Sequence, residues 1–111
     1  MATEKSFAQY VLDQIDDSKS RVRAMFGEFA LYYDDKVVGL ICDNTLFLKI
    51  TESSKDFLGN NKTGPAYKGA KDSYIISEET LEDQKLLKRI VLGVYEDLPA
   101  TKSKTKKLKK L

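Results

Sequence analysis

The chain has no His, no Trp, one Cys and only two Pro among its 111 residues. Without His, Ser-His and Cys-His dyads are excluded, together with most zinc and non-haem iron sites. One Cys makes neither an internal disulfide nor a multi-thiolate metal centre. No run of about 18 apolar residues is present to span a membrane, and residues 1–7 lack the apolar stretch of a secretory signal. No membrane partner is expected, and the chain reads as cytoplasmic. What is present suits one folded domain. Apolar residues make up 41% of the chain, too many for wholesale disorder. A chain of this length buries roughly two-thirds of its surface without disulfide or metal staples.

Acid-free sequence is also scarce, and it is concentrated at one end. Residues 100–111 carry six Lys (Lys102, Lys104, Lys106, Lys107, Lys109 and Lys110) and no acid. Removing those six from the nineteen Lys and Arg leaves thirteen against seventeen acids, so residues 1–99 carry a net −4. The expected organisation is a domain at 1–99 and a disordered Lys-rich tail at 100–111. Such a tail either stays solvated or neutralises the phosphates of a nucleic acid.

The apolar residues change period along the chain. Phe7, Tyr10, Val11 and Ile15 recur at helical spacing over residues 4–16, with Thr3 or Ser6 as candidate cap. Phe29, Leu31 and Tyr33 alternate with Glu28, Ala30 and Tyr32, as in a half-buried strand. Asp34-Asp35-Lys36 is a turn, Val37–Cys42 an apolar strand, and Thr45–Ile50 a third strand after Asp43-Asn44. Asp and Asn tolerate positive φ, so that pair suits a two-residue hairpin. Residues 52–60 suggest a short helix capped by Ser53 or Ser54, with Phe57 and Leu58 inward. Gly64–Gly69 is a loop or edge strand, and Asp72–Ile76 a further strand. Ser77 opens a last helix whose stripe is Leu87, Ile90, Val91, Val94, Tyr95 and Leu98. The order α-β-β-β-α-β(-β)-α gives an α+β class, a two-layer fold in which helices pack on an antiparallel sheet. That sheet is a three-stranded meander plus one or two further strands. Its core should contain Phe7, Val11, Ile15, Leu31, Leu40, Leu48, Leu87, Val91 and Val94.

Catalytic chemistry finds few footholds. The acid pairs at Asp16-Asp17, Asp34-Asp35, Glu78-Glu79, Glu82-Asp83 and Glu96-Asp97 all fall at turns or helix ends. Gly64 and Gly69 have P-loop spacing, but Ala70 and Lys71 stand where Lys and Ser/Thr are required. Leu98-Pro-Ala-Thr101 lacks the Gly of a sortase signal. Cys42, at the end of the most apolar strand, suits core packing. No catalytic residue, cofactor or metal is expected.

Arg21-Val-Arg23-Ala-Met25-Phe26-Gly27 reads in two ways. Arg23, Met25, Phe26 and Gly27 form a small partner-binding patch, or Met25 and Phe26 begin a core strand while Gly27 permits a bulge and the Arg residues are solvated. At this point the chain resembles the N-terminal domain of the TfoX/Sxy competence-regulator family. Arg23-Ala-Met25-Phe26-Gly27 matches that family's Arg-x-Met-Phe-Gly. Leu31-Tyr-Tyr-Asp34, Val37–Ile41, Leu46-Phe-Leu-Lys49, Tyr74 and Glu78-Glu79-x-Leu81-Glu-Asp83 follow in the family's order. The likeness covers about residues 5–97. The chain departs at Pro65-Ala66, where members often have Pro-Phe, and at Ser77, where they often have Pro. The resemblance implies a two-layer α+β fold and a non-enzymatic role, because the best-known members are transcriptional co-regulators of DNA-uptake genes alongside a cyclic-AMP receptor protein. Residues 98–111 are too few for the second, helical domain of the full-length regulators, so a stand-alone domain is expected. The partner is then a protein, of the transcription machinery by this likeness, with direct nucleic-acid binding through the tail as the alternative. Monomer and homodimer stay open.

Overall fold

The computed structural model describes residues 3–25 and 27–99. Its first element, α1 (Lys5–Ile15), buries Ala8, Val11 and Ile15, the i, i+3, i+7 spacing of a single apolar stripe. Asp16 ends it at φ 54°, with its N–H donating to the Leu12 carbonyl. Neither expected cap is used. Glu4 holds the N-cap position without a side-chain bond, and the Thr3 hydroxyl donates instead to the Glu28 carboxylate.

The meander has four strands where three were expected: β1 (Ser20–Met25), β2 (Glu28–Tyr33), β3 (Lys36–Cys42) and β4 (Thr45–Leu48). With β5 (Thr63–Pro65) and β6 (Asp72–Ile75) they form one sheet in the order β1-β2-β3-β4-β6-β5, every neighbouring pair antiparallel. Asp43 and Asn44 turn the β3–β4 hairpin at φ 52° and 53°, the left-handed conformation their short polar side chains accept. The register of β3 against β2 slips between Leu31 and Tyr32, which pair with Gly39 and Val37. Val38 is the extra residue, and it is fully buried. This bulge corrects one core expectation: Leu40 is half-buried on the other face of the sheet.

The helices form the second layer. α2 (Glu52–Leu58) is capped by Thr51 rather than by Ser53 or Ser54. Ser54 is the reciprocal member of that capping box: its N–H donates to Thr51 Oγ1 at 3.2 Å, and its Oγ accepts the Thr51 N–H at 2.7 Å. Leu58 is buried as expected, whereas Phe57 points outward and is 41% exposed. The last helix is divided into α3 (Glu78–Glu82) and α4 (Gln84–Asp97). Asp83, at φ −90° and ψ 86°, leaves helical geometry and accepts the Leu86 N–H at 3.1 Å, so it caps α4. Gly93 lets α2 approach α4, because a Cβ there would sit 2.6 Å from that of Ser53.

α1, α2 and α3 all contact α4, while α1 and α4 contact the sheet. Val11, Ile15, Leu31, Ile41, Leu46, Leu48, Leu87, Ile90, Val91 and Val94 form the centre of the core between the layers. Phe7 packs at its margin, half-buried. The fold is α+β, as expected. Among the described residues, no helix is long and apolar enough to cross a membrane. Among the described residues, no helix covers the opposite face of the sheet.

Candidate interaction face

Strand periodicity decides what the helix-free face presents. Ser20, Val22 and Ala24 pair with the core-facing Tyr33, Leu31 and Phe29, so Arg21, Arg23 and Met25 alternate onto the other side. There they join Glu28, Ala30 and Tyr32 of β2, Leu40 and Cys42 of β3, and Phe47 of β4. Ala30, Cys42 and Phe47 are buried but do not belong to the core between the layers. Cys42 is a free thiol; burial, with the charges of Glu28 and Asp43, pushes its pKa up. It is an unreactive packing residue by that measure.

The Arg-x-Met-Phe-Gly segment divides into parts with different work. Gly27 has φ +82°, and its carbonyl accepts the Thr3 N–H at 3.0 Å. This closes the β1–β2 hairpin and ties the N-terminal segment to it. Glu28, next in the chain, accepts from the Thr3 hydroxyl and, at 3.1 Å, from the Asp43 N–H. Thr3 Oγ1 in turn accepts the Asn44 N–H at 3.2 Å. Burial acts to raise the Glu28 pKa, but the Thr3 and Asp43 donors outweigh it and hold the carboxyl below its ordinary value. Met25, opposite Glu28, is half-buried and lines a cleft with Glu28, Cys42 and Tyr67. Arg23 is exposed opposite Ala30, with no acid against it among the described residues. Arg21 lies over the Tyr32 ring, 4.3 Å from its centroid, a cation–π contact. Phe26 and the six tail Lys lie outside the described residues.

Sequence reasoning missed the neighbouring groove. A hollow of about 340 Å³ lies between Leu40, Lys49 and Ile50 on one side and Tyr67, Lys71 and Ser73 on the other. A second, of about 330 Å³, is lined by Tyr32, Lys36, Val37 and Pro99. The two meet at Lys49 and Leu98, which line both. Burial lowers the Lys49 pKa. Lys36 is engaged: its ammonium donates to the carbonyls of Tyr95 at 3.0 Å and Leu98 at 2.8 Å. The available signal was Lys49 itself, a charge ending an apolar strand; Tyr67 and Lys71 reach the groove only through the β5–β6 hairpin. No group of three or more His, Cys, Asp or Glu among the described residues could hold a metal ion.

Asp72 lines the first hollow with Lys71, and Asp35 lines the second with Lys36, so the groove carries charges of both signs. The family model of the TfoX N-terminal domain matches residues 12–97. The chain belongs to the TfoX N-terminal domain family. A 12.7 kDa protein in the trpE 5′ region of Spirochaeta aurantia is 40% identical to it over 110 residues, covering 98% of this chain and 95% of that protein. The TfoX match takes in β1 and the groove residues up to Ser73, though not Leu98 and Pro99, so the Arg23–Gly27 hairpin is a feature of a family domain rather than of an appended segment.

Proposed function

We propose that this TfoX N-terminal domain is a non-catalytic regulatory module that works by holding a protein partner of the transcription machinery. The observation that carries this is the family match over residues 12–97, because the best-known members of that family are transcriptional co-regulators. The geometry adds a place for the contact. Among the described residues, β1 is a sheet edge with no strand beside its outer backbone groups, and Arg23 projects from it without an acidic neighbour. An open edge and an unpaired guanidinium are two standard means of holding a peptide segment.

The test is cross-linked co-purification of the full chain from its host, with Arg23→Ala beside the parent. A defined partner lost with Arg23→Ala, at an unchanged unfolding midpoint, supports the reading. Equal capture removes Arg23 from it. A second reading, nucleic-acid binding, is favoured by the six-Lys run at 102–110 and has its own measurement below.

A further inference from the structure

We infer that the protein partner adds an extended segment to β1 as a further strand, with apolar residues toward the helices and an acidic residue opposite Arg23. This deepens the partner-binding reading and rests on it. The Asp34 N–H donates to the Lys19 carbonyl at 2.8 Å, and the β1–β2 register continues from that pair. Along an antiparallel pair, residues alternate between bonding to the neighbouring strand and turning their N–H and C=O to the other side. Arg21 and Arg23 therefore bond to β2, while the N–H and C=O of Val22 and Ala24 point to the open edge. Among the described residues, no backbone group answers them there. An edge of this kind is what strand addition uses.

The side chains of β1 select the segment. A strand bonded to Val22 and Ala24 sets its intervening residue opposite Arg23, on the same face. Residues 18–25 include Lys19, Arg21 and Arg23 but no acid. Arg21 lies over the Tyr32 ring and donates to the Asp34 carbonyl at 3.5 Å, whereas Arg23 forms no ion pair among the described residues. Glu28 shares that face, but it sits opposite Met25 and its carboxylate accepts from Thr3 and Asp43. On the helix side Val22 is half-buried at the margin of the core, and an apolar residue bonded to it would extend that core. A second copy is disfavoured. Pairing Val22 with Ala24 of the copy sets Arg23 against Arg23, and pairing Val22 with Val22 sets Arg21 against Arg23; like charges directly opposite repel. Phosphate oxygens only accept hydrogen bonds, so a nucleic-acid backbone offers the Val22 and Ala24 carbonyls no donor there.

The experiment is fluorescence anisotropy on the full chain, with a labelled eight-residue peptide alternating Val with Glu. Arg23→Glu should weaken binding by about tenfold, and a peptide alternating Val with Lys should recover it on that variant. The Val–Glu peptide N-methylated at its Val residues cannot complete the backbone ladder and should lose affinity by a similar factor. Lys71→Glu in the groove should leave binding unchanged. All variants keep the tail, and binding to the tail by charge alone would not respond to methylation. No peptide binding, equal binding by Arg23→Glu, or equal binding of the methylated peptide overturns the inference. So does a single-stranded oligonucleotide that binds more tightly and loses affinity with Arg23→Glu. Self-association in sedimentation also overturns it if Ala24→Pro abolishes that association at an unchanged unfolding midpoint, because a second copy is then the occupant. If the peptide fails while the host partner is captured and is lost with Arg23→Ala, the regulatory reading stands and strand addition alone falls.

Discussion

The Lys36 ammonium lies 4.4 Å from the centroid of the Tyr95 ring while donating to the Tyr95 carbonyl at 3.0 Å. The first residue of β3 thus closes the C-terminal end of α4, where carbonyls lack helical partners and a cation is favoured. The Tyr95 ring also packs on Tyr33, with centroids 5.1 Å apart. Lys36→Met should destabilise the fold by about 1–2 kcal/mol, since it removes charge-assisted hydrogen bonds at a half-buried site. Lys49→Met, with no such bonds, should change stability by less than about 0.5 kcal/mol. Urea unfolding of both variants checks the contrast.

The bulge at Val38 yields a second contrast, between two leucines of adjacent strands. Leu48 is fully buried between the layers, so Leu48→Ala should cost about 2–5 kcal/mol. Leu40, half-buried over the groove, should cost about 1 kcal/mol on truncation. Equal losses would mean that Leu40 belongs to the same core.

Those leucines also show where sequence reading stops. The α4 stripe and the Asp43-Asn44 turn were legible because a period of 3.6 and two residues tolerant of positive φ each admit one structure. Within the apolar run Val37–Cys42 both faces look alike, so a one-residue bulge that moves Val38 inward and Leu40 outward leaves no trace. β1 was read either as a patch or as the start of a core strand, because an edge strand with Arg21 and Arg23 outward shows little apolar alternation. Asp83 looked like one more surface acid and proved to be the cap that divides two helices. Of the candidate site, Arg23 was legible as a charge in a motif. The groove was not, because Lys49 and Lys71 become neighbours only when β6 inserts between β4 and β5.

Gly27 and Arg23 should separate experimentally. With φ +82°, Gly27→Ala forces an L side chain into the left-handed region and should cost about 1–2 kcal/mol. Arg23→Ala should leave the denaturation midpoint within error. If Arg23→Ala unfolds the chain as readily as Gly27→Ala, Arg23 fixes the strand rather than a partner.

Acid and alkali should act through different groups. Asp17 is held below its ordinary pKa by the Lys19 N–H, against burial, with help from the Tyr33 hydroxyl. Glu28 is likewise lowered. For a lowered carboxyl, the stabilisation is present above the unfolded-state pKa and is lost as pH falls through the folded one. Stability should therefore hold from neutral pH to about 5 and decline below about 4.5. Tyr33, which donates to Asp17 at 2.8 Å, is pushed up to about 12 by burial and that carboxylate. A raised pKa stabilises fully below the unfolded value near 10 and less as pH rises toward 12. Phenolate absorbance should show one tyrosine titrating last, and Tyr33→Phe should remove that step.

The tail makes the final measurable claim. Residues 100–111 carry six Lys and no acid. Lys residues neutralise phosphates without reading bases, so duplex binding through them should be weak and independent of sequence. Contact with about four to six phosphates gives a log–log salt slope of roughly −4 to −5. The body at net −4 repels the same polyanion, and the full chain should bind more weakly than the tail peptide alone. A salt titration of the full chain, the isolated tail peptide and a chain ending at Pro99 separates the outcomes. Loss of binding in the shortened chain assigns the contact to the tail. Equal binding by full and shortened chains makes the tail a solvated appendage. No binding by either near about 50 mM salt removes nucleic acid from the readings and leaves the protein partner.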